Sequence, residues 1–97
     1  MKPVKRVEIV LDAVAVPRLL DALRAAGATG WTVIRDVTGQ GGRGERSGDE
    51  IAGVNRNSYV LIAIDAVQLD GLKEQIRPIL ATFGGVCLVS DAAWLIH

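Results

Sequence analysis

The run Gly39-Gln40-Gly41-Gly42-Arg43-Gly44 is the part of the sequence that most resembles a chemical site. Its G-x-G-x-x-G spacing directly follows a strand-like segment, which is half of the context of a dinucleotide-binding turn. The other half is a helix, but residues 45–49 are polar and include Gly48, and the Lys-Ser/Thr pair of a P-loop is also missing. We therefore weigh two interpretations, a structural hairpin and an anion site in which backbone N–H groups and the guanidinium groups of Arg43 or Arg46 bind an oxyanion.

No catalytic or metal-binding constellation is apparent elsewhere. His97 is the only histidine, and Cys87 is the only cysteine and lies in an apolar run, where a buried and inert thiol is expected. Glu45, Asp49 and Glu50 lie in a glycine-rich stretch, which favours solvated charges. The sequence predicts neither an enzyme nor a metal site.

Length and charge restrict the class of protein further. The 97 residues suffice for one domain, residues 1–97, and the 11 basic and 11 acidic residues give no net charge. A neutral chain lacks the basic surface of a nucleic-acid binder. No apolar stretch reaches the ~20 residues of a membrane span and the first residues lack a signal-peptide core, so we expect a cytoplasmic protein.

Hydrophobic periodicity predicts an α+β fold of the ferredoxin-like, split βαβ type, in the order βαββαβ. Pro17 is suited to start the first helix, Gly27 to stop it, and Gly84-Gly85 to stop the second. Between the second and third strands, residues 39–57 form a long loop. The expected strands cover residues 7–11, 31–37, 59–64 and 86–89, with a turn around Asp91 and a short terminal strand over 94–96; the expected helices cover 17–26 and 69–83.

The third strand, residues 59–64, is apolar at every position, so both of its faces should be covered. Two helices on one side of a four-stranded sheet leave the other face bare, which predicts self-association. Trp31 and Trp94 begin strands and are expected to pack in the core or at a subunit interface.

Several motifs in a fixed order resemble the PII family of signalling proteins over nearly the whole chain. They are the helix that ends at Gly27, the Gly-x-Thr-Val motif of residues 30–33, the Gly39-Gln40-Gly41 start of the long loop, and the closing run of residues 89–97. The chain is most similar to the branch associated with carboxysomes and bicarbonate transport.

This resemblance implies a homotrimer that binds adenine nucleotides in three clefts between subunits. The loop over about residues 41–57 corresponds to the family's T-loop, which engages a partner protein, here a membrane transporter or a protein of carbon metabolism. The implied nucleotide-binding residues are Thr32, Gly39, Gln40, Gly41, Ala63, Gly84, Gly85, Val86 and His97. Bicarbonate would bind near Gly41, Gly42, Arg43 and Arg46.

Departures from the family pattern favour AMP or ADP over longer polyphosphates. Val86 lies where ATP-binding members have a lysine. An arginine at about position 43 takes the place of a glutamine, and His97 takes the place of an arginine. Charge-assisted hydrogen bonds are stronger than neutral ones, so these replacements should weaken the binding of triphosphates and 2-oxoglutarate the most. Tyr59 is the only tyrosine and lies in a strand, so uridylylation of the loop is not expected.

Three alternatives remain open from the sequence. The first is a nitrogen-regulatory PII protein that binds ATP and 2-oxoglutarate, and the second is a ferredoxin-like interaction module without signalling. The third is an acylphosphatase-sized enzyme, which would need a rigidly placed asparagine, whereas Asn55 and Asn57 lie at the end of the long loop.

Overall fold

The computed structural model describes residues 1–39 and 56–97, and these form two helices on one face of a four-stranded antiparallel sheet. The predicted βαββαβ order is confirmed. A short 3₁₀ turn precedes each helix. The elements are β1 (Lys2–Asp12), α1 (Val16–Ala25), β2 (Thr32–Val37), β3 (Asn57–Ile64), α2 (Leu69–Phe83) and β4 (Val86–Trp94).

The strand order β2-β3-β1-β4 places β1 at the centre of the sheet, paired with β3 on one edge and β4 on the other. Val7, for example, lies between Ile62 and Val89. Alternate residues of β1 and β3 face the helices and form the core. The core consists of Val7, Ile9, Leu11, Ala15, Leu19, Ala22, Leu23, Val60, Ile62, Ile64, Leu72, Ile76 and Ile79.

A polar contact connects the start of the α2 segment to the chain just after α1. The Gln68 side chain accepts a hydrogen bond from the backbone N–H of Asp65 at 3.0 Å and donates one to the carbonyl oxygen of Gly27 at 3.2 Å. One side chain therefore satisfies backbone groups at the start of the α2 segment and just after α1. Pro17 lies in the first turn of α1, as predicted, and Gly27 follows the helix with a φ of 92°.

The sequence-based prediction for the last strand was wrong. The predicted turn around Asp91 and separate strand over 94–96 are absent; β4 runs unbroken through Trp94, and residues 95–97 lie beyond it. Asp91 pairs in register with Lys5, and their side chains form an ion pair. β1 begins at Lys2, earlier than the predicted start at Val7. The last residues of β4 pair with these first residues of β1, and this pairing outweighs the local turn signals.

Gly84 and Gly85 connect α2 to β4 with backbone conformations that favour glycine. Their φ angles are 79° and 118°. A Cβ atom on Gly85 would lie 2.4 Å from the carbonyl oxygen of Val10. The glycine pair thus allows β4 to pass directly against the backbone of β1.

We expect Gly85→Ala to lower the free energy of unfolding by more than about 2 kcal/mol, because it combines an unfavourable φ with a clash against backbone. Gly71→Ala is the matched control: Gly71 lies in α2 with open space around the added methyl group, and the change should raise stability by up to about 1 kcal/mol. Urea denaturation followed by circular dichroism measures both. Equal stabilities of the two variants would contradict this account of the β1–β4 approach.

Candidate functional site

The sheet face opposite the helices, called the open face here, carries the candidate site residues. It consists of the even-numbered residues of β1 and β4, the odd-numbered residues of β3, and Thr32 and Ile34 of β2. Large apolar side chains on it are exposed, including Ile34, Val86, Leu88 and Trp94. The open face is therefore uncovered in the single chain, as the all-apolar third strand led us to expect.

Thr32 and Ala63 lie together near the β2 edge of the sheet. Thr32 pairs with Leu61, and Ala63 lies two residues further along β3 on the same face. Gly39 follows the end of β2 by two residues and is exposed. Thr32 and Ala63 therefore lie close together at one end of this edge, whereas Gly39 lies beyond its other end, past the Val37–Asn57 pair.

Gly84, Gly85 and Val86 lie at the opposite edge of the same sheet. From β2 to β4 the sheet makes three strand steps, which separate the two edges by about 14 Å at ~4.8 Å per step. His97 lies three residues beyond Trp94, whose partner Lys2 marks the far end of β4 from Val86. Within one chain these residues lie on the β4 side of the sheet, opposite Thr32.

The remaining predicted positions, Gln40, Gly41, Gly42, Arg43 and Arg46, lie outside the described residues. The two strand ends that flank them are described. Val37 pairs with Asn57 after a bulge at Asp36, whose φ is 58°, and a guanidinium nitrogen of Arg56 lies 3.5 Å from the Asp36 carboxylate. These contacts hold the two ends of the loop next to each other.

A groove of about 340 Å³ beside Ala63 contains residues that the sequence reasoning missed. The Lys2 ammonium group lies 3.0 Å from the Asp65 carboxylate, and Trp94 and Gln68 complete the walls. The first residues of β1 meet the end of β3 only in the folded sheet, so no local signal identifies Lys2 or Asp65. The groove offers a cation, an anion and an indole face next to a predicted ligand contact.

A polar cluster interrupts the apolar open face at its centre. The Tyr59 hydroxyl donates a hydrogen bond of 2.7 Å to the Glu8 carboxylate, and Nε of Arg6 donates one of 3.0 Å to the Ser90 hydroxyl. The same Arg6 nitrogen lies 3.4 Å from the other carboxylate oxygen of Glu8. These four residues, Arg6, Glu8, Tyr59 and Ser90, are called the open-face cluster below.

The single cysteine and the first tryptophan behave largely as the sequence predicted. Cys87 pairs with Ile9 and packs against the core, half-buried rather than fully buried, and this burial raises the pKa of its thiol. Trp31 also packs against the core, with the Arg24 guanidinium 4.9 Å from its ring centre. Trp94 remains half exposed on the open face.

Two negative findings apply to residues 1–39 and 56–97. No group of three or more His, Cys, Asp or Glu side chains there could hold a metal ion. No helix in these ranges is long and apolar enough to cross a membrane.

Comparison with known proteins gives one family and a set of related structures. The family model described as nitrogen regulatory protein P-II matches residues 4–95. No curated protein sequence matches the chain.

The related structures include CPII, a nitrogen regulatory PII-like protein from Thiomonas intermedia K12. Bound to ADP, AMP and bicarbonate, it gives a TM-score of 0.79 at 24% identity, over 93% of this chain and 86% of that chain. Bound to ADP and bicarbonate, it gives 0.78 at 26% identity over the same shares. A PII-like signaling protein from Thermus thermophilus gives 0.74 at 21% identity, over 94% of this chain and 88% of that chain.

The hydrogen bond from Tyr59 to the Glu8 carboxylate is the largest cause of a raised Tyr59 pKa, because it stabilises the neutral phenol. Its contribution to stability is fully present below about pH 10 and is lost as the pH rises through the raised pKa. Tyr59 is the only tyrosine, so ultraviolet absorbance of tyrosinate reports it alone. We expect its midpoint to lie above that of the urea-unfolded chain.

Glu8→Gln should lower the Tyr59 midpoint towards the unfolded value, because the negative charge beside the phenol is removed. Glu74→Gln, on the exposed side of α2, is the control and should leave the midpoint unchanged. Identical midpoints in folded and unfolded wild-type protein would show that the Tyr59–Glu8 bond is absent in solution.

Proposed function

This chain belongs to the nitrogen regulatory protein P-II family, and on that basis we propose that it is a non-catalytic sensor that binds ADP or AMP between the subunits of a homotrimer. The observation that supports this most directly is the position of the two glycine-containing regions at opposite edges of one sheet. Thr32 and Ala63 lie on the β2 side of the sheet and Gly84, Gly85 and Val86 on its β4 side, so the β2 side of one copy can lie next to the β4 side of another. A cleft between subunits satisfies this geometry.

The proposed contacts follow from the position of each residue. Thr32 is exposed at the start of β2, where its hydroxyl can bond an adenine ring, and Ala63 can offer backbone groups beside it. The Gly84 N–H donates to the carbonyl oxygen of Leu80, so the proposed phosphate contact here is the exposed backbone of Gly85, whose φ is positive. Gln40, Gly41 and His97 complete the proposed site by resemblance to the family.

ADP and AMP are proposed over ATP because Val86 supplies no charge next to the glycine pair. A lysine at this point would make charge-assisted bonds to a longer polyphosphate, and those bonds are roughly twice as strong as neutral ones. Two of the CPII structures, one of them 26% identical to this chain, are bound to ADP with bicarbonate, and this supports the same nucleotide class here.

Bicarbonate is the second proposed ligand. CPII binds bicarbonate together with ADP, and the proposed site in this chain is formed by Gly41, Gly42, Arg43 and Arg46. A guanidinium group and backbone N–H groups suit a small planar oxyanion.

The proposed output is a binding event rather than a turnover. Ligand in the cleft would shift the population of T-loop conformations that bind a partner, which we propose to be a membrane transporter or a protein of inorganic-carbon metabolism. The proposal places the protein in the cytoplasm, where ADP and AMP are available.

Isothermal calorimetry against AMP, ADP and ATP, with and without bicarbonate, tests the ligand. We expect saturable binding of ADP and AMP, and Thr32→Val should weaken ADP binding by about tenfold, the effect of one lost hydrogen bond of ~1.4 kcal/mol. Thr82→Val, a matched change on exposed α2, should leave the affinity unchanged. Absence of nucleotide heat, or a monomeric mass in solution, would overturn the proposed sensor.

A further inference from the structure

A second groove lies on the helix side of the sheet, between the start of α1 and the end of β2. Its volume is about 570 Å³, which is in the range of small-molecule sites. Val16, Leu20 and Val33 line part of it and pack against the core. Three charged side chains and one hydroxyl group also line it. The groove therefore combines an apolar floor with groups that can bind a charged ligand.

Ser58 is the buried polar side chain of this groove. It is 2% exposed and occupies a core position between Leu11 on β1 and Arg35 on β2. Among residues 1–39 and 56–97, its hydroxyl group makes no hydrogen bond to a protein group. Burial of a hydroxyl group without a partner is unfavourable, and buried polar groups in native proteins nearly always have one. A ligand in the groove would supply that partner.

Arg35 supplies positive charge beside Ser58. The two residues are direct partners on β2 and β3, so their Cβ atoms lie about 5 Å apart on the same face of the sheet. Arg56 already has the Asp36 carboxylate 3.5 Å away, whereas no ion pair joins Arg35 to another side chain in the described part of the chain. Two guanidinium groups and one carboxylate leave a net charge of one positive unit, which complements a monoanion.

We propose that this groove binds a small monocarboxylate that carries an apolar chain. The carboxylate accepts hydrogen bonds from the Arg35 guanidinium and the Ser58 hydroxyl, and the chain lies on Val16, Leu20 and Val33. A dianion such as inorganic phosphate brings a second negative charge for which the groove has no further unmatched cation. An uncharged molecule covers Arg35 and leaves its charge without a partner, which is unfavourable.

The groove is separate from the proposed nucleotide site. Arg35 and Ser58 lie on the helix side of the sheet, whereas Thr32 and Ala63 lie on the open face. The groove is also held by the backbone, since the N–H of Ala13 donates to the carbonyl oxygen of Arg56 at 2.7 Å. Carboxylate binding here goes beyond the proposed sensor and does not depend on it.

Isothermal calorimetry of the full chain with hexanoate, without nucleotide, tests the ligand class. We expect saturable binding with a dissociation constant on the order of 1 mM or below. Hexan-1-ol has the same chain without the charge, and acetate has the charge without the chain. Each should bind at least about tenfold more weakly than hexanoate. Inorganic phosphate should not displace hexanoate.

Two variants locate the site. Arg35→Met keeps an unbranched side chain but removes the charge, and it should weaken hexanoate binding by about tenfold. Ser58→Ala should weaken it by about fivefold and, without ligand, should not lower the urea midpoint of unfolding, because the hydroxyl group has no protein partner to lose. Arg77→Met, the same replacement on exposed α2, and Thr32→Val on the open face should both bind hexanoate like the wild type.

Each outcome decides the inference. No saturable hexanoate binding, equal binding of hexan-1-ol, or displacement by inorganic phosphate overturns the ligand class. Wild-type affinity in both Arg35→Met and Ser58→Ala overturns the site. If circular dichroism shows that Arg35→Met is unfolded, Arg35→Gln replaces it with the same expected loss. Hexanoate binding with these variant effects, in a protein that fails to bind ADP, supports this inference and counts against the proposed sensor.

Discussion

The pairing of β1 along both of its edges is the constraint on which the rest of the structure depends. Residues 5–12 pair with β3 and residues 2–10 pair with β4, so no backbone edge of this strand is free over most of its length. Val7, Ile9 and Leu11 must then be covered from one side, and the two helices do this completely. The alternate side chains necessarily point the other way, where the chain has no further element among residues 1–39 and 56–97 to cover them.

In the proposed sensor, ligand binding would be linked to assembly. If the proposed cleft uses the β2 edge of one copy and the β4 edge of another, a nucleotide that occupies it binds only the assembled form. Such a ligand stabilises the assembly by mass action, in proportion to the logarithm of its concentration over its dissociation constant. Burial of the apolar open face and binding of the ligand would then both favour the assembled form over separate chains.

The parts of the fold that could be predicted from sequence are those with local signals. Pro17 and the apolar stripe after it define α1, and Gly84-Gly85 define the end of α2. Contacts between distant residues could not be predicted: Lys5 and Asp91 are 86 residues apart, and Ser90-Asp91 alone is typical of a turn. Glu8 and Tyr59 are 51 residues apart, so the open-face cluster was not foreseen either. Sequence motifs suggested the residues of the candidate site. Only the strand order reveals that Thr32 lies at one edge of the sheet and Gly84-Gly85 at the other.

The contacts at the base of the β2–β3 hairpin have a consequence for how the sequence of this protein can evolve. Val37 pairs with Asn57 and Arg56 lies beside Asp36, so the two ends of the connection are positioned by the sheet itself. Each doubling in length of a flexible connection with fixed ends costs only about 0.6 kcal/mol in closure entropy. Insertions and deletions between these anchors are therefore inexpensive for the scaffold that residues 1–39 and 56–97 form.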